Sequence, residues 1–173
     1  DRALEQYVLA FQIDPHHEVV ETKLRALAET RDDVKGLMLK LYEKAISEAD
    51  GDDVVDVRVA YLGRIASLHE VSEDHGAALD ALLRAFALVP GREELLGELE
   101  RVGERSGRLG EVAHAYQVAA EHSRSQTAVA FFLRSARLLH KSLGFADLAA
   151  RILRRALEVD ADCAEAWADL EVI

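Results

Sequence analysis

Apolar residues recur along this chain at intervals of three and four, and short polar or helix-stopping segments separate the runs. Asp1 to Ile13 carries Ala3, Leu4, Tyr7, Ala10 and Phe11 at helical spacing and is stopped by Asp14-Pro15. Glu18 to Arg31 places Val20, Leu24, Leu27 and Ala28 on one face; a short Asp32-Asp33 break then leads into Val34 to Ala49, where Leu37, Met38, Leu41, Tyr42 and Ala45 continue the period. Past the polar turn Asp50-Gly-Asp-Asp53, Val54 to Ser72 spreads Val57, Tyr61, Leu62, Ile65, Ala66, Leu68 and His69 over more than one face, as a helix packed on both sides does. His75 to Leu88 ends at Pro90-Gly91. Arg92 to Arg105 and Leu109 to His122 pair around Ser106-Gly107, and Thr127 to Leu143 and Ala146 to Val159 pair around Gly144. β-branched residues never alternate over a useful length, so the pattern predicts no strand. It predicts an all-α chain of about ten helices, joined by turns short enough to force neighbours antiparallel as αα-hairpins.

These helices are copies of one another. The stretch Arg84-Ala-Phe-Ala-Leu-Val-Pro-Gly91 has counterparts at Leu9 to Pro15 and at Arg155 to Ala161, and weaker ones at Lys44-Ala45-Ile46 and Val118-Ala119-Ala120. Aligned on Ala10, Ala45, Ala85, Ala119 and Ala156, the steps are 35, 40, 34 and 37 residues. A period in this range marks a repeat array whose units bury a core only by stacking. The expected organisation is therefore one αα-hairpin solenoid over 1–173. Its complete hairpins span 18–49, 54–90, 92–123 and 127–161, with a lone second helix at 1–15 and a lone first helix at 163–173. Second helices share a spacing of 3, 4, 3: His75, Ala78, Leu82, Ala85; then Leu109, Val112, Tyr116, Ala119; then Ala146, Ala149, Leu153, Ala156. Alanines let two backbones approach closely while the large residue between them fills the gap to the next hairpin. A shift of 71 residues lays Tyr61, Leu62, His69, Ala78, Leu82 and Ala85 on Phe132, Leu133, His140, Ala149, Leu153 and Ala156, so two hairpins are expected to form one larger module. The start on Asp1, inside a helical pattern, suggests a piece of a longer protein, and the unpaired helices at both ends are expected to be adhesive, favouring end-to-end self-association.

This arrangement resembles the tetratricopeptide repeat family over essentially the whole chain. The family's second-helix signature is matched at Ala78, Leu82, Ala85 and Pro90. Of its first-helix signature, Trp167 and Leu170 fit while Glu171 replaces the glycine; Leu62, Ile65, Ala66 and His69 stand at the corresponding places of a complete repeat. The resemblance implies a right-handed superhelix whose first helices line a concave groove for peptides or protein surfaces. It also implies what the groove does not hold. Chaperone-type members clamp a carboxy-terminal carboxylate with lysine, arginine and asparagine, and this chain has no asparagine.

Composition narrows the function classes. Half of the 173 residues are apolar and 31% are charged, and no run approaches the roughly 18 apolar residues of a membrane span. The net charge of −11 argues against a nucleic-acid binder, which needs a basic face for phosphates. The charge is uneven: residues 43–80 hold ten acids and three bases, residues 101–155 ten bases and four acids. The single Cys163 excludes an internal disulfide and fits a reducing, cytoplasmic setting. The seven histidines do not converge, with His16-His17 in a turn and His69 and His140 at equivalent repeat positions, and no zinc pair, nucleophile elbow or phosphate-binding loop is present. Asp50 to Asp53 resembles half of a calcium loop but lacks the closing glutamate. Gly103, Gly107 and Gly110 sit where a hairpin turns, with no strand before them to make a phosphate cradle. The expectation is thus a non-catalytic protein-interaction scaffold without cofactor or metal; the alternative is an accessory segment of a larger enzyme whose catalytic part lies elsewhere.

The candidate site follows from what packing leaves over. In Thr127 to Leu143, hairpin packing claims Val129, Phe132, Leu133, Ala136, Leu139 and His140, leaving Phe131, Arg134, Leu138 and Lys141 as a separate stripe. Arg101 and Arg105 lie on the comparable stripe of the preceding first helix. Together these six predict a basic groove with an aromatic in it, suited to an acidic protein segment. The 71-residue shift puts Ala60, Gly63, Ser67 and Glu70 at the matching positions one module earlier, which makes the stripe look particular to this module.

Overall fold

The computed structural model describes residues 2–15 and 17–173. Among these residues it holds ten α-helices, one π-helical turn and no strand: α1 (Arg2–Ile13), α2 (Glu18–Ala28), α3 (Asp32–Glu48), α4 (Val54–Val71), α5 (His75–Leu88), α6 (Glu93–Arg105), α7 (Leu109–Glu121), α8 (Ser125–Arg137), the π turn (Leu138–Ser142), α9 (Ala146–Val159) and α10 (Ala164–Val172). No helix among the described residues is long and apolar enough to cross a membrane. The helices form two compact units, one ending at Leu88 and one running from Val89 to Ile173. Each unit contains two of the expected hairpins, α2/α3 with α4/α5 and α6/α7 with α8/α9, and within each unit consecutive helices pack on one another. The all-α hairpin repeat is therefore the fold, and the two-hairpin module is its structural unit.

Two expected boundaries shift. The break between α2 and α3 lies at residues 29–31, and Asp32 and Asp33 instead open α3, where carboxylates favourably face the unpaired N–H groups of a helix start. The long helix expected from Thr127 to Leu143 is α-helical only to Arg137 and then widens into the π turn.

The second helices carry the core as their spacing requires. Ala78, Leu82 and Ala85 of α5, Val112, Tyr116 and Ala119 of α7, and Ala149, Leu153 and Ala156 of α9 are all buried. The alanines allow close approach, and in the second unit the large residue between them, Tyr116, meets the next first helix. In the first unit Tyr42 of α3 meets Tyr61 of α4, ring centroids 5.5 Å apart, while Phe11 of α1 packs edge-to-face with Tyr42 at 5.9 Å. In the second unit Tyr116 of α7 meets Phe131 of α8 at 6.0 Å.

That pairing corrects the repeat register. Phe131, not Phe132, takes the place of Tyr61, a shift of 70 rather than 71. The buried residues of α4, namely Val59, Tyr61, Leu62, Ile65, Ala66 and Leu68, each fall on a buried residue of the later module at this shift: Val129, Phe131, Phe132, Ser135, Ala136 and Leu138. The second helices nevertheless align at 71, Ala85 on Ala156. The extra residue lies between them, and a π turn is the form a single-residue insertion takes in a helix, closing i→i+5 rather than i→i+4; the Leu143 N–H donates to the Leu138 carbonyl at 3.2 Å accordingly.

The hairpin turns use the same cap in two chemical versions. After α6 the Arg108 N–H donates to the Gly103 carbonyl (2.9 Å) and the Gly107 N–H to that of Glu104 (3.1 Å), with Gly107 at φ +69°. After α4 the Asp74 N–H donates to His69 (3.0 Å) and the Glu73 N–H to Glu70 (2.9 Å), with Glu73 at φ +58°. Both are Schellman caps, which need a left-handed residue; glycine adopts it freely, glutamate at a cost. Gly103 has a second role, since a Cβ there would stand 2.8 Å from Val112 Cγ2, so its hydrogen sets how closely α7 approaches α6.

Candidate interaction groove

Each unit joins its successive first helices through an arginine placed three residues after the aromatic that packs on the second-helix tyrosine. In the first unit Arg64 lies 4.9 Å over the Tyr61 ring, and its Nε is 3.1 Å from Glu21 Oε1 on α2. Glu21 is buried and also accepts the Tyr42 hydroxyl at 2.8 Å. Burial, reinforced by Glu21, pushes the Tyr42 phenol well above its ordinary range, so it remains a donor. A buried carboxylate is tolerated because a guanidinium and a hydroxyl both reach it. Arg25 of α2 adds a bond to Ser67 Oγ of α4 at 3.1 Å. The second helices are held in the same way, with Arg84 of α5 forked onto Glu43 of α3, its Nη2 2.9 Å from Oε2.

The second unit repeats this scheme with one addition. Arg134 of α8 reaches Glu100 on α6 at 3.1 Å, and Glu100 also accepts the Tyr116 hydroxyl at 3.1 Å. Burial, with Glu100 beside it, again pushes the Tyr116 phenol far up. Arg134 donates in addition to Glu93, one helical turn pair earlier on α6, at 2.8 Å. On the other side of α8, Arg137 donates to Asp169 and to Glu165 of α10, both at 2.7 Å. The Glu165 hydrogen bond is the main cause that holds the Arg137 guanidinium above its ordinary basicity. Between the second helices, Arg155 of α9 lies 2.8 Å from Glu121 of α7 and 4.7 Å over the Phe132 ring.

Between α6, α8 with its π turn, and α10 runs an open groove of about 440 Å³, within the size range of ligand sites. Arg134, Arg137 and Lys141 line it, with Leu133 and Leu138 between them and Glu100 and Glu165 at its sides. Of the six residues expected to form a stripe, three therefore meet here: Arg134, Leu138 and Lys141. Phe131 does not present a face to a partner, because it is 4% exposed and stacked on Tyr116. Leu138 is also largely buried, drawn inward at the start of the π turn. Arg101 is paired with Glu98 on its own helix, Arg105 is exposed in the last turn of α6, and neither lines the groove. Nor is the Phe131–Arg134 pair particular to this module. It is the counterpart of Tyr61–Arg64, so that Tyr61 and Arg64, rather than Ala60 and Gly63, occupy the matching positions. Sequence reasoning missed Arg137, whose position three residues after Arg134 was a readable signal, and it missed the acidic partners Glu93, Glu100, Glu165 and Asp169.

The groove offers hydrogen-bond donors and charge, and its lining holds neither a histidine nor a cysteine. Among the described residues no group of three or more histidine, cysteine, aspartate or glutamate side chains is arranged to hold a metal ion. Neither a scan against protein-family models nor a search of curated proteins finds a match for the chain.

Proposed function

We propose that this chain is a non-catalytic protein-interaction repeat of the tetratricopeptide kind, and that the groove across α6, α8 and α10 takes an acidic segment of another protein. The observation that carries this reading is the set of cations Arg134, Arg137 and Lys141 lining one open groove, with the largely buried Leu133 and Leu138 forming its apolar floor. Guanidinium groups recognise carboxylates through paired, charge-assisted hydrogen bonds, and apolar contact between them supplies the remaining affinity. Tight helix packing gives such a site a rigid frame, so little is lost to ordering on the protein side when a segment binds.

Lys141 is the residue with which to test it, since it is exposed, whereas Arg134 and Arg137 also join helices. An array of capped twelve-residue peptides, acidic, basic and neutral, is titrated with the parent chain and with Lys141→Glu. The expected result is selective binding in the acidic set, weakened at least severalfold by Lys141→Glu with an unchanged circular dichroism spectrum. Equal affinity of the two proteins for the same peptides, or no acidic preference, overturns the reading.

A further inference from the structure

Both groove arginines are engaged by two carboxylates, and in each case the two differ in the same way. Arg134 holds Glu100, whose side chain is 34% exposed and fixed by Tyr116, and Glu93, which is 78% exposed. Arg137 holds Asp169, 25% exposed, and Glu165, 66% exposed. One partner of each pair is thus sheltered and structural, and the other lies open to solvent. We infer that Glu93 and Glu165 are placeholders: they occupy the guanidinium edges that two carboxylates of the acidic partner take over, and they restrain binding until displaced. This rests on the reading of the groove as a site for an acidic segment.

The physical grounds are an exchange balance. An exposed ion pair is worth a factor of about five or less in an equilibrium, so Glu93 and Glu165 are released cheaply, whereas Glu100 is also fixed by Tyr116 and Asp169 is the more sheltered partner of Arg137. With all four carboxylates in place, the three cations Arg134, Arg137 and Lys141 face four negative charges, and the groove has no net attraction for an anion. With the outer two turned away, three cations face two carboxylates and the balance becomes positive. Arg134 reaches toward α6 and Arg137 toward α10, so one carboxylate is needed for each guanidinium. The partner chemistry is therefore a segment carrying several carboxylates in close succession.

The test uses a fluorescent ten-residue peptide of alternating Glu and Ala, capped at both ends, and anisotropy at low and moderate salt. The proteins are the parent, the double variant Glu93→Gln/Glu165→Gln, and a charge control, Glu98→Gln/Glu111→Gln, which removes two carboxylates paired with Arg101 and Arg108 instead. The expected result is roughly tenfold tighter binding by the first double variant, from about fivefold or less per released pair, and little change for the control. A first variant that binds no tighter than the parent, or no tighter than the control, overturns the placeholder role while leaving the groove reading in place. Absence of binding by all three folded proteins overturns both.

Discussion

Phe131 lies on Tyr116 with ring planes 25° apart and centroids at 6.0 Å, in the place that Tyr61 takes on Tyr42 in the first unit. The aromatic pair joins one hairpin to the next, and the arginine three residues on completes the joint by reaching back to a carboxylate of the preceding first helix. Stacking thus depends on a compound contact in which a buried ring and an ion pair stand side by side; where the carboxylate is itself buried, as Glu21 is, the pair is screened less by solvent.

Phe131 therefore belongs to stability before it belongs to any binding face. Phe131→Ala is expected to cost about 3–5 kcal/mol, the range for deleting a buried aromatic side chain, whereas Lys141→Ala stays within about 0.5 kcal/mol as an exposed change does. Urea unfolding of the two variants distinguishes these outcomes; comparable small losses would show that the ring is not part of the packed joint.

Two glycines of α6 give opposite results on the same substitution. Gly97 is exposed with nothing within 4 Å of an added Cβ, so Gly97→Ala is expected to stabilise by about 1 kcal/mol through helix propensity. At Gly103 the added methyl meets Val112 Cγ2 at 2.8 Å and Leu109 Cδ2 at 3.2 Å. The same gain is outweighed there by an overpacking cost of about 1–3 kcal/mol. Thermal melts of the two alanine variants should move in opposite directions, and a rise for Gly103→Ala would mean that α7 yields without cost.

Glu73 is the left-handed residue of its cap where the sister turns use Gly107 and Gly144. It is exposed, so Glu73→Gly relieves backbone strain without disturbing a buried contact. We expect a stabilisation of about 1 kcal/mol, the difference between a left-handed non-glycine and a glycine, partly offset by the greater freedom of glycine in the unfolded chain. A loss of stability on chemical denaturation would contradict the assignment of Glu73 as a strained cap residue.

Much of this fold was legible in the residues. The positions of Ala78, Leu82 and Ala85 and their copies marked the second helices because a packed helix must repeat its apolar face every three to four residues, whatever surrounds it. Asp14-Pro15, Asp50-Gly-Asp-Asp53 and Pro90-Gly91 marked the stops because their backbone restrictions are local. Even the two-hairpin module could be read from the recurrence of residues 71 apart.

The sequence by itself therefore determined the helices, their antiparallel pairing and the repeat, since each depends on interactions within a turn or a short loop. Tertiary structure decided the joints. Whether Phe131 or Phe132 replaces Tyr61 turns on a one-residue insertion, and only packing against Tyr116 places that insertion in the π turn after Arg137 instead of in a loop. The charges of the groove were decided in the same way. Glu93, Glu100, Glu165 and Asp169 lie 28 to 41 residues from their arginines, and no local pattern ties such partners together. A stripe that is basic along one helix becomes balanced once acidic helices stack on either side, because Coulomb attraction acts through distance in space while a sequence pattern records only distance along the chain.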